Sequence, residues 1–307
     1  MELRHLRYFV VVARKRHFTH AAEELFIAQP ALSQQIQALE LELGVKLFER
    51  TSRQVRLTPA GEAFLIHAER ILEEVEQMKD EMQEFMGLIR GRVKLGLLQS
   101  LGAFRVPALL GRFSVQYPGI EMILQEGVTE HLLEQLRIGQ LDIALTHSIG
   151  DIFPLTLPDS QMITETLLSE ELVLVAGPHH RLAHVESIAA GELKDEAFIL
   201  FKPGSGLRQA AIHLSTIGGF APRILYESGD VGTIRALVAE GLGISVLPQS
   251  IVDSPGSEVT IIKVAPPLPA RTVLLVWHKR IEHSPAASTF LNFLHEDIQA
   301  HSWNSVR

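Results

Sequence analysis

The stretch FTHAAEELFIAQPALSQQIQALELEL, residues 18–43, decides the fold of the N-terminal region. Residues 18–25 predict a short helix, residues 26–28 a tight turn, and residues 29–43 a second helix. Pro30 lies just inside the start of that second helix, where its missing N–H does no harm, and Gly44 ends it. Two short helices joined by a tight turn are typical of the helix-turn-helix, whose second helix enters the major groove of DNA.

The second helix has an apolar side and a polar side. Leu32, Ile36 and Leu39 face inward, so glutamine and serine side chains face outward, where they can donate and accept hydrogen bonds at base edges. The predicted short hairpin at 45–58 is rich in arginine, which suits phosphates or a narrow minor groove. The candidate DNA-binding residues are Thr19, Gln29, Pro30, Ser33, Gln34, Gln37, Arg50, Arg53 and Arg56. The alternative is a helical bundle whose glutamines only face solvent.

Charge is distributed unevenly along the chain. Residues 1–60 hold nine Lys and Arg against six Glu, although the whole chain has a formal net charge of −8. A basic N-terminal segment on an acidic body is typical of a DNA-binding module joined to a second domain. The length of 307 residues also favours about two domains over one.

A heptad pattern follows the basic segment. Apolar side chains alternate steps of four and three residues, flanked by Glu and Lys. This pattern predicts a long helix, residues 59–90, that pairs with the same helix of a second copy. The predicted dimerisation residues are Phe64, Ala68, Ile71, Val75, Met78, Met82, Phe85 and Ile89. The alternative is a long helix that lies on its own domain.

Beyond Gly91 the chain alternates strand-like and helix-like segments, which predicts βαβ units and a largely parallel sheet. Irregular segments near 151–162 and 252–258 predict that the chain crosses twice between two subdomains. We therefore expect a DNA-binding domain at 1–58, a linker helix at 59–90 and an effector-binding domain at 91–307, with subdomain I at about 91–161 and 266–307 and subdomain II at about 162–265.

The order and spacing of several motifs resemble the LysR-type transcriptional regulators. In the first sixty residues these motifs are Leu6-Arg7-Tyr8-Phe9, Phe18-Thr19-His20-Ala21-Ala22, Gln29-Pro30-Ala31-Leu32-Ser33-Gln34-Gln35-Ile36, Gly44-Val45-Lys46-Leu47-Phe48-Glu49-Arg50 and Leu57-Thr58-Pro59-Ala60-Gly61. Later landmarks are Leu141-Asp142-Ile143-Ala144-Leu145 and Gly241-Leu242-Gly243-Ile244-Ser245-Val246-Leu247-Pro248. The resemblance covers essentially the whole chain.

The resemblance implies an α/β fold class with an N-terminal all-α winged helix-turn-helix, a long linker helix and a C-terminal two-subdomain α/β domain like that of periplasmic binding proteins. It also implies a sequence-specific, effector-controlled transcriptional regulator that forms homodimers or homotetramers. One departure concerns base readout. Many members carry a basic residue where this chain has Gln34 and Gln37. Readout here is therefore expected to depend less on Arg–guanine contacts.

Four loops at the carboxyl ends of predicted strands are candidates for effector contact, and the resemblance implies the same loops. Ligands of open α/β folds bind at these strand ends, where helix N-termini offer free N–H groups to anions. The loops supply Gln99, Ser100, Leu101, Thr146, His147, Lys202, Gly204, Ser205, Gly229 and Asp230. Their donors suit a small organic acid or other anion. Asp230 would repel an anion, so capping of its own helix is its expected role.

Composition argues against several other functions. The chain has no cysteine, which excludes disulfides, thiolate metal sites and thiol redox switches. It shows neither a membrane-spanning run nor a signal-peptide pattern, so a cytoplasmic protein is expected. His179, His180 and His184 lack metal-ligand spacing, and Ser205 lacks the context of a catalytic nucleophile. We expect no metal, no cofactor and no enzymatic activity.

The alternative from another class is a ligand-binding protein of the solute-binding type without DNA function. It would need a secretion signal, and it leaves the basic N-terminal segment without a role. The expected partners are therefore double-stranded DNA at a promoter or operator, a small-molecule effector and further copies of the chain. RNA polymerase is a further candidate partner, and a membrane is not.

Overall fold

The computed structural model describes residues 1–50, 55–84, 90–102, 106–280 and 284–301. The chain divides into two compact units. The first holds residues 1–87, and the second holds nearly all of the remainder.

The N-terminal unit is a helical cluster with a short hairpin. Its elements are α1 (Leu3–Lys15), α2 (Phe18–Glu24), α3 (Gln29–Leu43), β1 (Phe48–Arg50), β2 (Val55–Leu57) and α4 (Pro59–Glu84). The apolar sides of the helices meet in one core, in which Phe9 and Ala68 are fully buried. The strands β1 and β2 pair antiparallel. The predicted helix-turn-helix, hairpin and start of the linker helix are all present.

A buried carboxylate joins α3 to the hairpin. Glu40 accepts hydrogen bonds from the backbone N–H groups of Leu47 at 2.9 Å and Phe48 at 3.1 Å, and from Lys46 Nζ at 2.9 Å. Burial by itself raises the pKa of Glu40, but the hydrogen bonds and the charge of Lys46 together hold that pKa below its usual value. The ionised side chain therefore fixes the hairpin against the end of α3.

The segment Thr58-Pro59-Ala60-Gly61 fixes the start of α4. Thr58 Oγ1 accepts from the Gly61 N–H at 2.9 Å and donates to the Lys46 carbonyl at 2.7 Å. A Cβ atom at position 61 would lie 2.1 Å from the carbonyl oxygen of Leu47. Only glycine permits this close approach between α4 and the hairpin.

The second unit contains two sheets with helices around them. Its helices are α5 (Gln99–Gly102), α6 (Val106–Gln116), α7 (Thr129–Ile138), α8 (Gly206–Ile217), α9 (Val231–Ala239), α10 (Gln249–Asp253) and α11 (Pro285–His301), with a 3₁₀ turn at Ala190–Leu193. Its strands are β3 (Gly91–Leu97), β4 (Ile120–Glu126), β5 (Ile143–Ile149), β6 (Met162–Glu170), β7 (Leu172–Ala176), β8 (Ser187–Ala189), β9 (Ala197–Phe201), β10 (Arg223–Ser228), β11 (Ser245–Pro248), β12 (Thr260–Ala265) and β13 (Arg271–His278).

The first sheet has the strand order β4-β3-β5-β13-β6. Strand β3 is parallel to β4 and β5, whereas β13 is antiparallel to both β5 and β6. The prediction of a largely parallel sheet is therefore wrong. The chain re-enters this sheet at β13 from the second sheet, so β13 runs in the opposite direction.

Strand β6 also corrects the predicted subdomain boundary. We expected subdomain II to begin at about residue 162, but β6 pairs with β13 along its length and so belongs to the first sheet. The chain leaves that sheet only after Glu170. Residues 162–170 carry several polar side chains and gave no strand signal, because β6 is an edge strand with exposed positions.

The second sheet has the order β11-β7-β12-β8, and β9 forms a parallel pair with β10 beside it. Its strands pack against α8 and α9 in an apolar core in which Phe198 and Ile234 are fully buried. The chain crosses between the two sheets after β6 and again before β13, so the residues at the two crossings lie near the junction of the sheets.

Candidate functional site

Helices α2 and α3 form a helix-turn-helix whose turn covers residues 25–28. Phe26 in this turn has a left-handed backbone with φ 55°, and its side chain is 94% exposed. On the inner side of α3, Leu32, Ile36 and Leu39 are completely buried. The outer side carries predicted DNA-binding residues, of which Gln29, Pro30, Gln34 and Gln37 are exposed and Ser33 is half-buried. The first turns of α3 therefore present amide and hydroxyl groups to solvent.

The remaining predicted DNA-binding residues flank α3 in the sequence. Thr19 is exposed in the first turn of α2. Arg56 is exposed on β2, opposite Glu49 of β1. Arg50 ends β1, and Arg53 lies outside the described residues.

A cavity of about 250 Å³ lies in the second unit, where the two sheets meet. Seven of the ten predicted effector-contacting residues line it: Gln99, Ser100, His147, Lys202, Gly204, Ser205 and Gly229. Gly127, Val128 and Thr129 also line the cavity, where β4 leads into α7, and they were not predicted from the sequence. They follow the carboxyl end of a parallel strand, so the rule that selected the other loops could have found them.

The chemistry of the cavity is that of hydrogen-bond donors. Among its lining residues, all within the described ranges, Lys202 is charged and no Asp or Glu occurs. Helix α7 begins at Thr129 and α8 begins at Gly206, so the first-turn N–H groups of two helices lie at the cavity wall. This arrangement favours a negatively charged occupant.

Two buried residues that line this cavity have polar side-chain atoms without a hydrogen-bond partner among the described residues. His147 is 2% exposed, and neither ring nitrogen has a hydrogen-bond partner among the described residues. Thr129 is 5% exposed, and its hydroxyl is likewise unpartnered. Buried polar groups are rarely left unsatisfied in folded proteins, so these atoms indicate a place for a ligand. Burial, together with the positive charge of Arg271, holds the pKa of His147 well below its usual value.

His147 also lies against the first residue of α8. A Cβ atom at Gly206 would lie 2.3 Å from His147 Nε2, so glycine is required there. The imidazole ring packs edge-on against Phe153, with 5.5 Å between ring centroids. The ring is thus held at the N-terminus of α8.

Three predicted effector contacts are not among the residues that line the cavity. Thr146 precedes His147 on β5, and successive side chains of a strand point to opposite faces. Leu101 packs against the apolar cores of the first sheet. Asp230 caps α9 by accepting from the Thr233 N–H at 2.6 Å, and the hydrogen bonds from Thr233 lower the pKa of its carboxyl. The expected capping role of Asp230 is confirmed.

Comparison with known proteins identifies the family. The profile of the lysR-family bacterial regulatory helix-turn-helix proteins matches residues 3–62, and that of the LysR substrate binding domain matches residues 87–299. The chain belongs to the LysR family of transcriptional regulators. The family and the fold class predicted from the sequence are confirmed.

Individual relatives match this LysR-type regulator over nearly its full length. It is 37% identical over 294 residues to the HTH-type transcriptional regulator YybE of Bacillus subtilis, with 96% of this chain and 98% of that protein covered. It is 35% identical over 295 residues to the transcriptional dual regulator GltC of the same species, with 96% of each covered. The alternative of a solute-binding protein without DNA function finds no support in these matches.

A solved structure shows the same fold in a DNA complex. Full-length CbnR complexed with its target DNA matches this LysR-type regulator with a TM-score of 0.70 and 25% identity, covering 96% of this chain and 99% of CbnR.

The predicted dimerisation residues of α4 form a heptad seam, and this seam divides into two parts. Phe64 packs edge-on against Phe9 at 4.9 Å between ring centroids, and Ala68 is fully buried in the core of its own unit. Of these two predicted dimer contacts, Ala68 is instead enclosed in its own unit, because the first turns of α4 pack on α1, and Phe64 is half-buried there. Further along, Ile71, Met78 and Met82 are 40%, 55% and 53% exposed, and Val75 is half-buried. Phe85 and Ile89 lie outside the described residues.

No group of three or more His, Asp or Glu with the geometry of a metal site occurs within the described ranges. Of the three clustered histidines, His180 has a structural partner, since its Nε2 lies 3.3 Å from Glu196 Oε2. Among the helices that the structure describes, none has the length and apolar character needed to cross a membrane.

Proposed function

We propose that this LysR-type regulator reads DNA with the exposed polar side of α3 and changes its DNA binding when a small anion occupies the cavity of the second unit. Gln29, Ser33, Gln34 and Gln37 supply the base contacts in this proposal. Glutamine pairs well with adenine through two hydrogen bonds, worth about 1–3 kcal/mol of discrimination per base. Thr19, Pro30 and the hairpin arginines, including Arg50, Arg53 and Arg56, contact the sugar-phosphate backbone.

The regulator acts as a homodimer in this proposal, and it forms tetramers as many members of its family do. The apolar residues of α4 beyond Ala68 support the dimer, since they are the exposed part of the seam. They lie on one side of the helix at steps of four and three residues, which suits pairing with a second copy of the same helix.

One observation carries the proposal of an anionic effector. Thr129 and His147, whose buried polar side-chain atoms are unpartnered, line a cavity that has no carboxylate among its lining residues. An anion that accepted hydrogen bonds from Thr129, Ser100, Ser205 and the helix N–H groups would satisfy these donors. A volume near 250 Å³ is below that of typical drug-sized pockets of roughly 300–1,000 Å³, so a small organic acid fits best.

The effector proposal is tested by thermal unfolding with five anions at constant ionic strength: acetate, pyruvate, malonate, succinate and phosphate. An anion at about 100 times its Kd adds about 2.7 kcal/mol to the free energy of unfolding, so we expect at least one to raise Tm by several degrees. Thr129→Val, which removes the hydroxyl at nearly constant shape, should lose most of that shift. Thr216→Val is the matched control, because Thr216 is exposed near the far end of α8.

A different pattern of Tm shifts would contradict the proposal of an anionic effector. A wild-type Tm that responds to none of the five anions but rises with neutral amides of the same size contradicts the proposal.

A further inference from the structure

A fully buried arginine lies behind the cavity. Arg271 is the first residue of β13 and is 0% exposed. Its Nη2 donates to Ser100 Oγ at 3.0 Å, and its Nη1 lies 3.5 Å from Glu170 Oε1. Ser100 lines the cavity, whereas Arg271 does not. The guanidinium is therefore separated from the cavity by one hydroxyl group.

Only some of the hydrogen-bond donors of Arg271 have partners. Its Nε and Nη1 have no hydrogen-bond partner among the described residues, and the contact with Glu170 at 3.5 Å is long for an ion pair. Burial lowers the pKa of Arg271 to about 10, against the opposing effect of Glu170, so the group stays charged near neutral pH. Burying a guanidinium that is incompletely paired lowers the free energy of unfolding. This cost indicates that Arg271 has a role besides its contact with Glu170 between β13 and β6.

Arg271 determines what Ser100 offers to the cavity. Because Ser100 Oγ already accepts from a cation, its own proton is available to an acceptor in the cavity, and the cation polarises that O–H bond. Glu170 contacts the other terminal nitrogen of the guanidinium, Nη1, and its Oε2 also accepts from the Ser250 N–H at 3.4 Å. The pair thus acts as a dipole with its positive end at Ser100.

The other groups near Arg271 do not carry this charge. His147 stays neutral because burial and Arg271 itself disfavour its protonation. Lys202 is exposed at the rim of the cavity, where water screens it. Arg271 is therefore the charged side chain that adds to the positive potential of the helix N-termini at the cavity.

We propose that Arg271 is a positioning residue for effector recognition, which makes the cavity select a carboxylate over its neutral amide by acting through the hydroxyl of Ser100. The inference rests on the effector role proposed above. Arg271 does not touch the ligand, so its removal should change charge selectivity rather than the shape of the site.

The test is calorimetric titration of the full chain with the tightest of the five anions, paired with the matching neutral amide. We expect Ser100→Ala and Arg271→Met each to weaken anion binding roughly tenfold. Amide binding should stay nearly unchanged in Arg271→Met, whereas Ser100→Ala also removes a hydrogen bond to the amide carbonyl and should weaken amide binding, though less than anion binding. The double variant should be little weaker than either single one, because Arg271 acts through Ser100. Arg271→Lys, which keeps the charge, should lose less than Arg271→Met.

Glu170→Gln provides a second test, which does not depend on whether the Arg271 variants fold. Removing the neutralising carboxylate should strengthen anion binding a few-fold, whereas loss of a merely structural contact would weaken it. Equal weakening of acid and amide by Arg271→Met, additive effects in the double variant, or weakened anion binding in Glu170→Gln overturns this inference alone. A wild type that binds none of the five anions overturns the effector proposal and this inference together.

Discussion

At the scale of single residues, His147 makes the clearest prediction about pH. Its pKa in the folded chain is well below the usual 6.5, mainly because of burial and secondly because of Arg271. The unfolded chain therefore binds a proton below pH 6.5 that the folded chain does not, so stability falls as the pH decreases from 6.5 towards the folded pKa. This loss amounts to about 1.4 kcal/mol per pH unit.

Urea unfolding of wild type and His147→Gln at pH 7.5, 6.5 and 5.5 measures this contribution. The substitution should make the free energy of unfolding less dependent on pH below 6.5. Thr216→Val, which changes a non-titrating side chain at an exposed position on α8, is the control and should keep the wild-type dependence. Identical pH profiles for wild type and His147→Gln would show that the imidazole is not held neutral in the folded chain.

The backbone conformation of Phe26 could not be predicted from its residue type. The turn at 26–28 was predicted, but the left-handed conformation within it belongs to a phenylalanine, φ 55° and 94% exposed. Propensity places glycine or asparagine at such positions, since a Cβ there costs about 1 kcal/mol. The turn is held instead by backbone hydrogen bonds from the Phe26 N–H to Glu23 O at 3.2 Å and from the Ile27 N–H to Ala22 O at 3.0 Å.

At the scale of elements, α4 shows that a heptad pattern predicts a helix but does not say what its apolar side packs against. Apolar side chains at steps of three and four residues suit both pairing with a second copy and packing on the same unit. In the structure Ala68 lies in the core of the unit, Phe64 packs half-buried against that core, and Ile71, Met78 and Met82 are exposed. The sequence could not separate these parts, because the spacing is the same in both.

The exposed part of α4 predicts the effect of a charge on assembly. Met78→Glu places a carboxylate in the middle of the proposed dimer contact and should raise the dimer dissociation constant by at least about tenfold, since burying an unpaired charge is unfavourable. Gln77→Glu adds the same charge about 100° around the helix and should have little effect. Sedimentation equilibrium gives both constants, and similar values for the two variants would exclude this face as the interface.

The strands show that buried strands can be predicted from sequence more readily than exposed ones. Strand β9 is buried and apolar at every position, and β5 begins with a buried apolar run, so both carry the apolar pattern from which strands were predicted. Strand β6 is exposed along much of its length and has no such pattern, so its pairing with β13 is set by the fold. Its absence from the prediction shifted the subdomain boundary to residue 162.

At the scale of the whole molecule, the family and half of the fourteen cavity-lining residues followed from sequence, because motif order and strand-end loops are local features. The roles of Arg271 and Glu170 did not, since they come from strands more than 90 residues apart that meet only in the folded sheet. The same is true of Ser100 and Arg271. Long-range pairing of buried charges leaves no spacing signature in the chain.

The central claim is that an anion in the cavity controls DNA binding by the helix-turn-helix. It is tested most directly by fluorescence anisotropy of the full chain with a duplex selected by wild type from a randomised library, with and without the tightest carboxylate. We predict at least about a fivefold change in Kd for wild type and Thr216→Val, and none for Thr129→Val. An unchanged Kd in wild type at saturating carboxylate, or no duplex retained even at low ionic strength, would contradict the account.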